Sequence, residues 1–116
     1  MAFNLSVKLV PETVRSLAGA AIGAAYMGIG TAFEHPVRII MIQNLTDQIV
    51  MFSFNGIDDH VPLPANGFIL LDVMANKSSP GGGFYIAEGT RIYAKDAGVS
   101  PSTGFVYVSV FYGYDN

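Results

Sequence analysis

Cysteine is absent from this 116-residue sequence, which excludes disulfide bonds, a thiolate nucleophile and the paired cysteines of zinc fingers. The N-terminal residues also lack a basic stretch followed by an apolar core and a small-residue cleavage site, so we do not expect a secretory signal. The chain is long enough to bury a core without disulfides or metals, and we expect a single domain over residues 1–116.

Charge is scarce. Charged residues make up 13 % of the sequence, against a usual share of about 25 %, and 51 % of the residues are hydrophobic. Much of the exterior of a monomer would therefore be uncharged or apolar, and large exposed apolar patches usually mark an interface. We expect a homo-oligomer or an assembly subunit. The net charge is −3 and the six basic residues are scattered, so we expect no nucleic-acid partner.

No segment has a convincing amphipathic helical period, and Ser16 to Phe33 is the hardest to assign. Gly19 and Gly23 in this uncharged run have small-xxx-small spacing, which allows a helix or a membrane span. Glycine penalises a helix by about 1 kcal/mol per residue, and the run has no flanking aromatic belts. Two short strands joined near Gly23 are favoured, and we expect no membrane partner. The expected packing residues are Leu17, Ile22, Tyr26, Ile29 and Phe33.

The strongest strand signal runs from Val37 to Ile57. Two apolar runs flank the turn-forming cluster Asn44-Leu45-Thr46-Asp47, which predicts a β-hairpin. Alternation places Val50 and Phe52 on one side of the second run and Ile49 and Met51 on the other. Because both sides are apolar, we expect this strand to lie between two layers, or between a sheet and another subunit.

Short strands separated by turns about every ten residues account for most of the remaining chain. We expect strands at 4–10, 68–74, 84–87, 91–95 and 105–112, an edge or connection at 61–64, and flexible loops at 75–83 and 96–104. This pattern predicts an all-β fold, an antiparallel β-sandwich of jelly-roll type. Side chains that alternation turns away from the strands' inner faces are the candidate interface: Phe105, Tyr107, Phe111, Tyr93, Ile49 and Met51.

No set of residues specifies a reaction, so we expect no enzyme, no catalytic residues, no cofactor and no metal site. The sequence has no G-x-S-x-G elbow, and Gly81 to Gly83 lack the lysine and helix of a phosphate-binding loop. Asp58, Asp59 and His60 are weak ligand candidates. They offer oxygen and nitrogen donors, but neighbours in an extended loop point in different directions, which favours an ordinary solvated loop.

Two other polar features leave alternatives open. Asp72 interrupts an apolar strand, so it either faces solvent at an edge or forms a structural ion pair, with Arg38 or Arg91 as partners. The tyrosines allow a sugar-stacking platform, although sheet covering and subunit contacts are the favoured roles. The tyrosines concerned are Tyr85, Tyr93, Tyr107, Tyr112 and Tyr114.

Five stretches follow one another in the chain: V-R-I-I-M-I-Q-N-L-T-D at 37–47, M-F-S-F-N-G-I-D-D-H at 51–60, P-A-N-G-F-I-L-L-D-V at 64–73, E-G-T-R-I-Y-A-K at 88–95 and V-Y-V-S-V-F-Y at 106–112. Their succession resembles small structural proteins of tailed bacteriophages. The resemblance covers roughly Ser16 to Tyr112. It implies a virion component present in many copies, a capsid cement or decoration protein. The alternative is a neck, tail or fibre subunit with a receptor- or carbohydrate-binding role. The implied partners are major capsid or neck and tail proteins. Residues 1–11, the C-terminal residues and the two loops are candidate arms and contacts.

Overall fold

The computed structural model of this chain describes residues 7–73 and 86–115. The fold is all-β, and the described residues form nine strands and one short 3-10 helix, Gly19–Ala21. The strands are β1 (Val7–Pro11), β2 (Arg15–Ala18), β3 (Met27–Gly28), β4 (Val37–Thr46), β5 (Val50–Ser53), β6 (Val61–Leu63), β7 (Phe68–Asp72), β8 (Tyr93–Asp96) and β9 (Gly104–Asp115).

The strands form two antiparallel sheets that pack face to face as a β-sandwich. The larger sheet has the order β1-β9-β4-β7, with β2 also pairing with β9, and the smaller sheet has the order β3-β8-β5-β6. Four of the pairings are nested, because β2 pairs with β9, β3 with β8, β4 with β7 and β5 with β6. The chain from β2 onward is therefore folded in half around the β5–β6 connection, and pairing of β4 with β9 and of β5 with β8 joins the folded ribbon into two sheets.

The core lies between the sheets and draws on both. In β9, Val106, Val108 and Val110 are at most 1 % exposed, as the alternation predicted. Opposite them, β5 contributes Val50 and Phe52. The buried apolar residues are Ile22, Ile29, Phe33, Val37, Ile40, Ile42, Val50, Phe52, Leu63, Ile92, Ala94, Val106, Val108 and Val110.

The predicted hairpin around residues 44–47 is wrong. Strand β4 pairs with β7 and β9, whereas β5 pairs with β6 and β8, so the chain crosses from one sheet to the other at this point. The fully buried Asn44 amide fixes the crossing: its Nδ2 donates to the carbonyls of Gln48, Leu63 and Pro64, and its Oδ1 accepts from the amide and hydroxyl of Thr46. The same polar cluster that suggested a tight turn therefore forms a corner between layers.

The run from residue 16 to residue 33 contains short strands rather than an α-helix, which is the alternative that the sequence favoured. Strands β2 and β3 belong to different sheets and are joined through the 3-10 helix and a loop. Ile22, Ile29 and Phe33 are at most 2 % exposed and enter the core, while Leu17 packs against its margin. Within the described ranges, no helix has the length and apolar character needed to cross a membrane.

The connection from 96 to 104 was predicted to be a flexible loop, and it is held by side-chain hydrogen bonds. Asp47 accepts from the Ser102 amide and hydroxyl, and Asp96 accepts from the Ser100 hydroxyl. Gly104, at φ +84°, ends the loop where a Cβ would lie 2.0 Å from the Leu45 carbonyl oxygen, so only glycine fits. The loop at 75–83 lies outside the described residues.

Strand β6 is an edge strand, as its proline predicted, because it pairs only with β5 within the described chain. Of the strand expected at 84–87, only Ile86 and Ala87 are described, and Ile86 forms an isolated bridge with Val37. Residues 7–11 of the proposed N-terminal arm pair with β9 as strand β1. Residues 1–6 lie outside the described part of the chain.

Candidate interaction surface

The side of the larger sheet that faces away from the core is apolar and exposed. Its members alternate with the buried residues of three adjacent strands, so the pleat turns them outward. We call them the outer face of the larger sheet: Met41, Gln43 and Leu45 on β4, Phe68 and Leu70 on β7, and Phe105, Tyr107 and Ser109 on β9. None of the eight is charged. Phe68 is 63 % exposed and Leu70 55 % exposed.

Cross-strand register makes this face continuous. Gln43 lies at its centre, opposite Phe68 on β7 and opposite Tyr107 on β9. Leu45 pairs with Phe105, and these two side chains are 44 % and 45 % exposed. Directly opposite residues in a sheet approach closely enough for side-chain contact. The face is therefore one continuous uncharged patch that contains four exposed apolar side chains, and such patches mark interaction sites.

Towards the other end of the sheet the face becomes less exposed and gains charge. Phe111 is half-buried opposite Ile39 and Pro11. Asp72 is exposed on edge strand β7, opposite Ile39. The uncharged patch thus ends at this row.

The outer face of the smaller sheet, formed by Met51 on β5 and Tyr93 and Lys95 on β8, is polar by contrast. Met51 lies opposite Lys95, whose Nζ lies 3.1 Å from an Asp59 carboxylate oxygen. The Arg91 guanidinium lies 5.6 Å from the centre of the Tyr93 ring. A charged side chain therefore already engages the half-buried Tyr93 ring of this face.

The six predicted interface residues consequently occupy three places. Phe105, Tyr107 and Phe111 share the outward side of β9, and Tyr93 and Met51 lie on the opposite side of the molecule. Ile49 belongs to neither face: it is 50 % exposed in the turn between β4 and β5, where it lines a small cleft with Val99.

The three loop residues considered as ligands point to three different partners. Asp58 accepts a hydrogen bond from the Asn55 side chain at 2.9 Å, Asp59 accepts one from the Tyr26 hydroxyl at 2.5 Å, and His60 accepts one from the Phe54 amide at 3.0 Å. Among the described residues, no group of three His, Cys, Asp or Glu side chains could hold a metal ion.

Electrostatics in this loop follow from the same contacts. The hydrogen bond from Tyr26, together with the one from Lys95, lowers the pKa of Asp59. Burial and the neighbouring Asp59 carboxylate raise the pKa of Tyr26 well above its ordinary value. The loop is thus a closed hydrogen-bonded group in which Tyr26 stays protonated and Asp59 ionised at neutral pH.

The tyrosines described here do not form a common platform. Tyr93 and Tyr107 lie on opposite outer faces, and Tyr112 stacks on His35 with ring centroids 3.6 Å apart and an interplanar angle of 8°. Tyr85 and the side chain of Tyr114 lie outside the described part of the chain. A stacking surface for sugars needs exposed rings side by side, and these three do not provide one.

A buried ionic network joins the β1–β2 connection to the loop before β4. The side chains of Glu12 and Arg15 are 4 % and 7 % exposed and form a 2.7 Å ion pair. Arg15 also donates to the carbonyls of Thr31 and Ala32, and Glu12 lies 2.8 Å from Nδ1 of His35. The sequence gives no signal of this network, because its other partners, two backbone carbonyls and the His35 side chain, lie about twenty residues away.

The charge of Glu12 is maintained despite its burial. Burial raises the pKa of Glu12, but hydrogen bonds from His35, Arg15 and the Glu34 amide outweigh that effect and bring it below its ordinary value. The Glu12 carboxylate accepts hydrogen bonds from Arg15, His35 and the Glu34 amide. The network therefore stabilises the β1–β2 connection. A cavity of about 270 Å³ opens beside the network.

Comparisons with protein-family models, with curated proteins and with solved structures gave no match to this chain. Function must therefore be argued from the sheets and their surfaces. Among the described residues, the outer face of the larger sheet brings together four exposed large hydrophobic side chains, Leu45, Phe68, Leu70 and Phe105, and it is the candidate functional surface.

Proposed function

We propose that this chain is a non-enzymatic structural protein of a bacteriophage particle, which self-associates and stabilises the particle as a capsid cement or decoration protein. The observation that carries the proposal is the outer face of the larger sheet, where Phe68, Leu70, Leu45 and Phe105 expose 44–63 % of their surface without a charged neighbour among the eight members. Assembly provides a cover for such a face.

The winding of the strands supports the same proposal. Eight strands, β2 to β9, pair as a ribbon folded in half and wound into two four-membered sets, β2-β9-β4-β7 and β3-β8-β5-β6. We propose that the sandwich is therefore a jelly roll. Jelly rolls occur in viral capsid and lectin domains. Since folds host many functions, the surface carries the proposal and the winding adds to it.

The mechanism is mechanical. A protein that binds the assembled lattice, and not its free subunits, stabilises the lattice by mass action. Many weak contacts repeated by symmetry then sum to a strong effect on the particle, although each is small. Major capsid proteins are the partners in this proposal, and the localisation is the virion.

The test is to raise antibodies against the purified chain and to map gold label on intact phage particles by electron microscopy, with pre-immune serum as the control. Label distributed over the head is the expected result. Label confined to the neck or tail would transfer the proposal to a connector or fibre subunit. Particles without label, when the same antibodies detect the chain in infected cells, would overturn a virion role.

A further inference from the structure

We infer that the outer face of the larger sheet binds the same face of a second copy, giving a two-fold dimer with Gln43 at its centre. This inference rests on the proposed function in one respect, since both assign that face to assembly. It goes further by naming the occupant, the symmetry and the residue on the axis.

Charge argues for a second copy as the occupant. A nucleic acid, an anionic lipid surface or a charged peptide would find no complementary charge among Met41, Gln43, Leu45 and their neighbours on β7 and β9. The same face of another copy is equally uncharged. The net charge of −3 is carried elsewhere on each copy, so contact through this face brings no like charges together.

The polar groups of the face are self-complementary. The side chains of Gln43, Tyr107 and Ser109 each both donate and accept hydrogen bonds. The side-chain amide of Gln43 is half-buried and forms no hydrogen bond with any residue in 7–73 or 86–115. In a two-fold contact a residue near the axis meets its own copy, and two facing amides can then exchange a reciprocal pair of hydrogen bonds.

The exposure of the face is also self-complementary. Phe68 and Leu70 on edge strand β7 are more than half exposed, whereas Tyr107 and Ser109 on β9 are half-buried. A two-fold axis along β4 above Gln43 brings the more exposed pair of one copy over the less exposed pair of the other. This places Phe68 against Tyr107 of the second copy, a pairing that aromatic rings favour.

The size of the face fits a weak dimer. Three strands about 4.8 Å apart, with Phe105 to Ser109 along β9, outline roughly 15 Å by 15 Å. With side-chain relief this is on the order of 400 Å² per copy, so the pair buries about 800 Å², the size of a weak and transient contact. We expect a dissociation constant in the upper micromolar range.

Sedimentation velocity across a concentration series tests the inference. The wild-type chain is expected to form a dimer, and Gln43→Glu to weaken it by about 100-fold, because two carboxylates then meet on the axis. Phe68→Ser is expected to weaken it by at least tenfold. Matched controls are Gln48→Glu, which adds the same charge at the corner, and Ile57→Ser, which removes an apolar side chain that is 78 % exposed outside the face. Far-UV circular dichroism checks that each variant folds.

The outcomes separate cleanly. A monomeric wild type at millimolar concentration, a dimer insensitive to Gln43→Glu, or equal loss in the controls would each overturn the inference. A closed trimer or larger ring that depends on Gln43 would overturn its two-fold symmetry. Particle labelling is independent of these results, so a labelled head with a monomeric chain would reject the dimer and leave the proposed function standing.

Cross-linking tests the position of the axis directly. Because the sequence has no cysteine, Gln43→Cys introduces a single thiol, which in the dimer faces its copy across the roughly 10 Å between packed sheets. A short bis-maleimide should link the two copies in high yield. Gln48→Cys should give little product under the same conditions, and equal yields from the two variants would contradict the assignment.

Discussion

The two outer faces of this sandwich use the few charges of the chain very differently. On the smaller sheet, Lys95 lies over the Tyr26 ring with its Nζ 4.9 Å from the ring centre and also pairs with Asp59. On the larger sheet, the central residue Gln43 has only uncharged neighbours across the strands, Phe68 and Tyr107. One face is thus closed by contacts within the chain, whereas the other is uncharged and exposed, and in our proposal a partner covers it.

This difference explains how a charge-poor protein can still have a defined contact surface. Exposed ion pairs contribute little to stability, so the charges near Lys95 matter mainly because they keep that face hydrated. Uncharged aromatic and aliphatic groups dominate the centres of protein interfaces. One side of the molecule, the outer face of the larger sheet, is therefore uncharged, and that side is the functional one in our proposal.

The largest expected effect is on folding stability, because it breaks the corner at Asn44 that joins the two sheets, and without the sheets there are no two faces to compare. Asn44→Ala leaves the carbonyls of Gln48, Leu63 and Pro64 without their buried donor, and should lower the free energy of unfolding by about 4 kcal/mol. Urea denaturation measures it. The control is Asn55→Ala. The exposed Asn55 side chain also makes several hydrogen bonds, but water can replace them in the variant. Equal losses in both variants would contradict the corner.

A second effect concerns the buried charge beside the larger sheet. The folded-state pKa of Glu12 lies below its ordinary value of 4.5, so its contribution to stability is complete above about pH 4.5 and is lost as pH falls through the lower folded value. Glu12→Gln should cost about 3 kcal/mol at pH 7, because Arg15 then remains buried without its partner.

Urea titrations at pH 7 and pH 3 measure this effect, with exposed Glu34→Gln as the control. The gap in stability between wild type and Glu12→Gln should narrow at pH 3. A gap that is the same at both pH values would show that the charge of Glu12 does not stabilise the connection.

A third prediction exchanges the character of the two faces. Leu45→Lys places a charge on the outer face of the larger sheet and should weaken self-association at least tenfold, about 1.4 kcal/mol, with little change in folding stability. Lys95→Leu removes the charge from the other face and should leave the association constant unchanged. Sedimentation of both variants measures the contrast, and loss of association in Lys95→Leu alone would reverse the assignment of the faces.

The smallest expected effect lies within the polar face. Tyr26→Phe removes the hydroxyl that donates to Asp59, and should change the melting temperature only slightly, since the bond is exposed to water. The more sensitive readout is the ultraviolet titration of the tyrosines. Because the pKa of Tyr26 is raised by burial and by Asp59, its absorbance change should come last and be missing in the variant. An unchanged last step would show that another tyrosine is responsible.

The sequence predicted which side chains share one side of a strand, because alternation with period two is a local property. The inward positions of Ile92 and Ala94, and the common side of Val106 and Val108, follow from it. The strands within residues 16–33 could be predicted for a related reason, since glycine penalises a helix more than it does a short irregular strand.

Alternation could not predict which residues distant in the sequence contact one another in the fold. The cluster at Asn44 permits either a hairpin or a crossing between sheets, and the choice depends on the carbonyls of Leu63 and Pro64, which come from a later strand. Alternation also could not show that Tyr93 and Tyr107 face opposite sides of the molecule, because that depends on which sheet each strand joins. The network of Glu12 was missed for the same nonlocal reason.

The most direct test of the central claim is a dilution series of amide NMR spectra of the wild-type chain. We predict concentration-dependent shifts at Gln43, Leu45, Phe68 and Tyr107 on the larger sheet, and constant positions for Met51, Tyr93 and Lys95 on the smaller one. Shifts confined to the smaller sheet, or no shift anywhere up to millimolar concentration, would contradict the claim that the uncharged outer face is the surface through which this protein assembles.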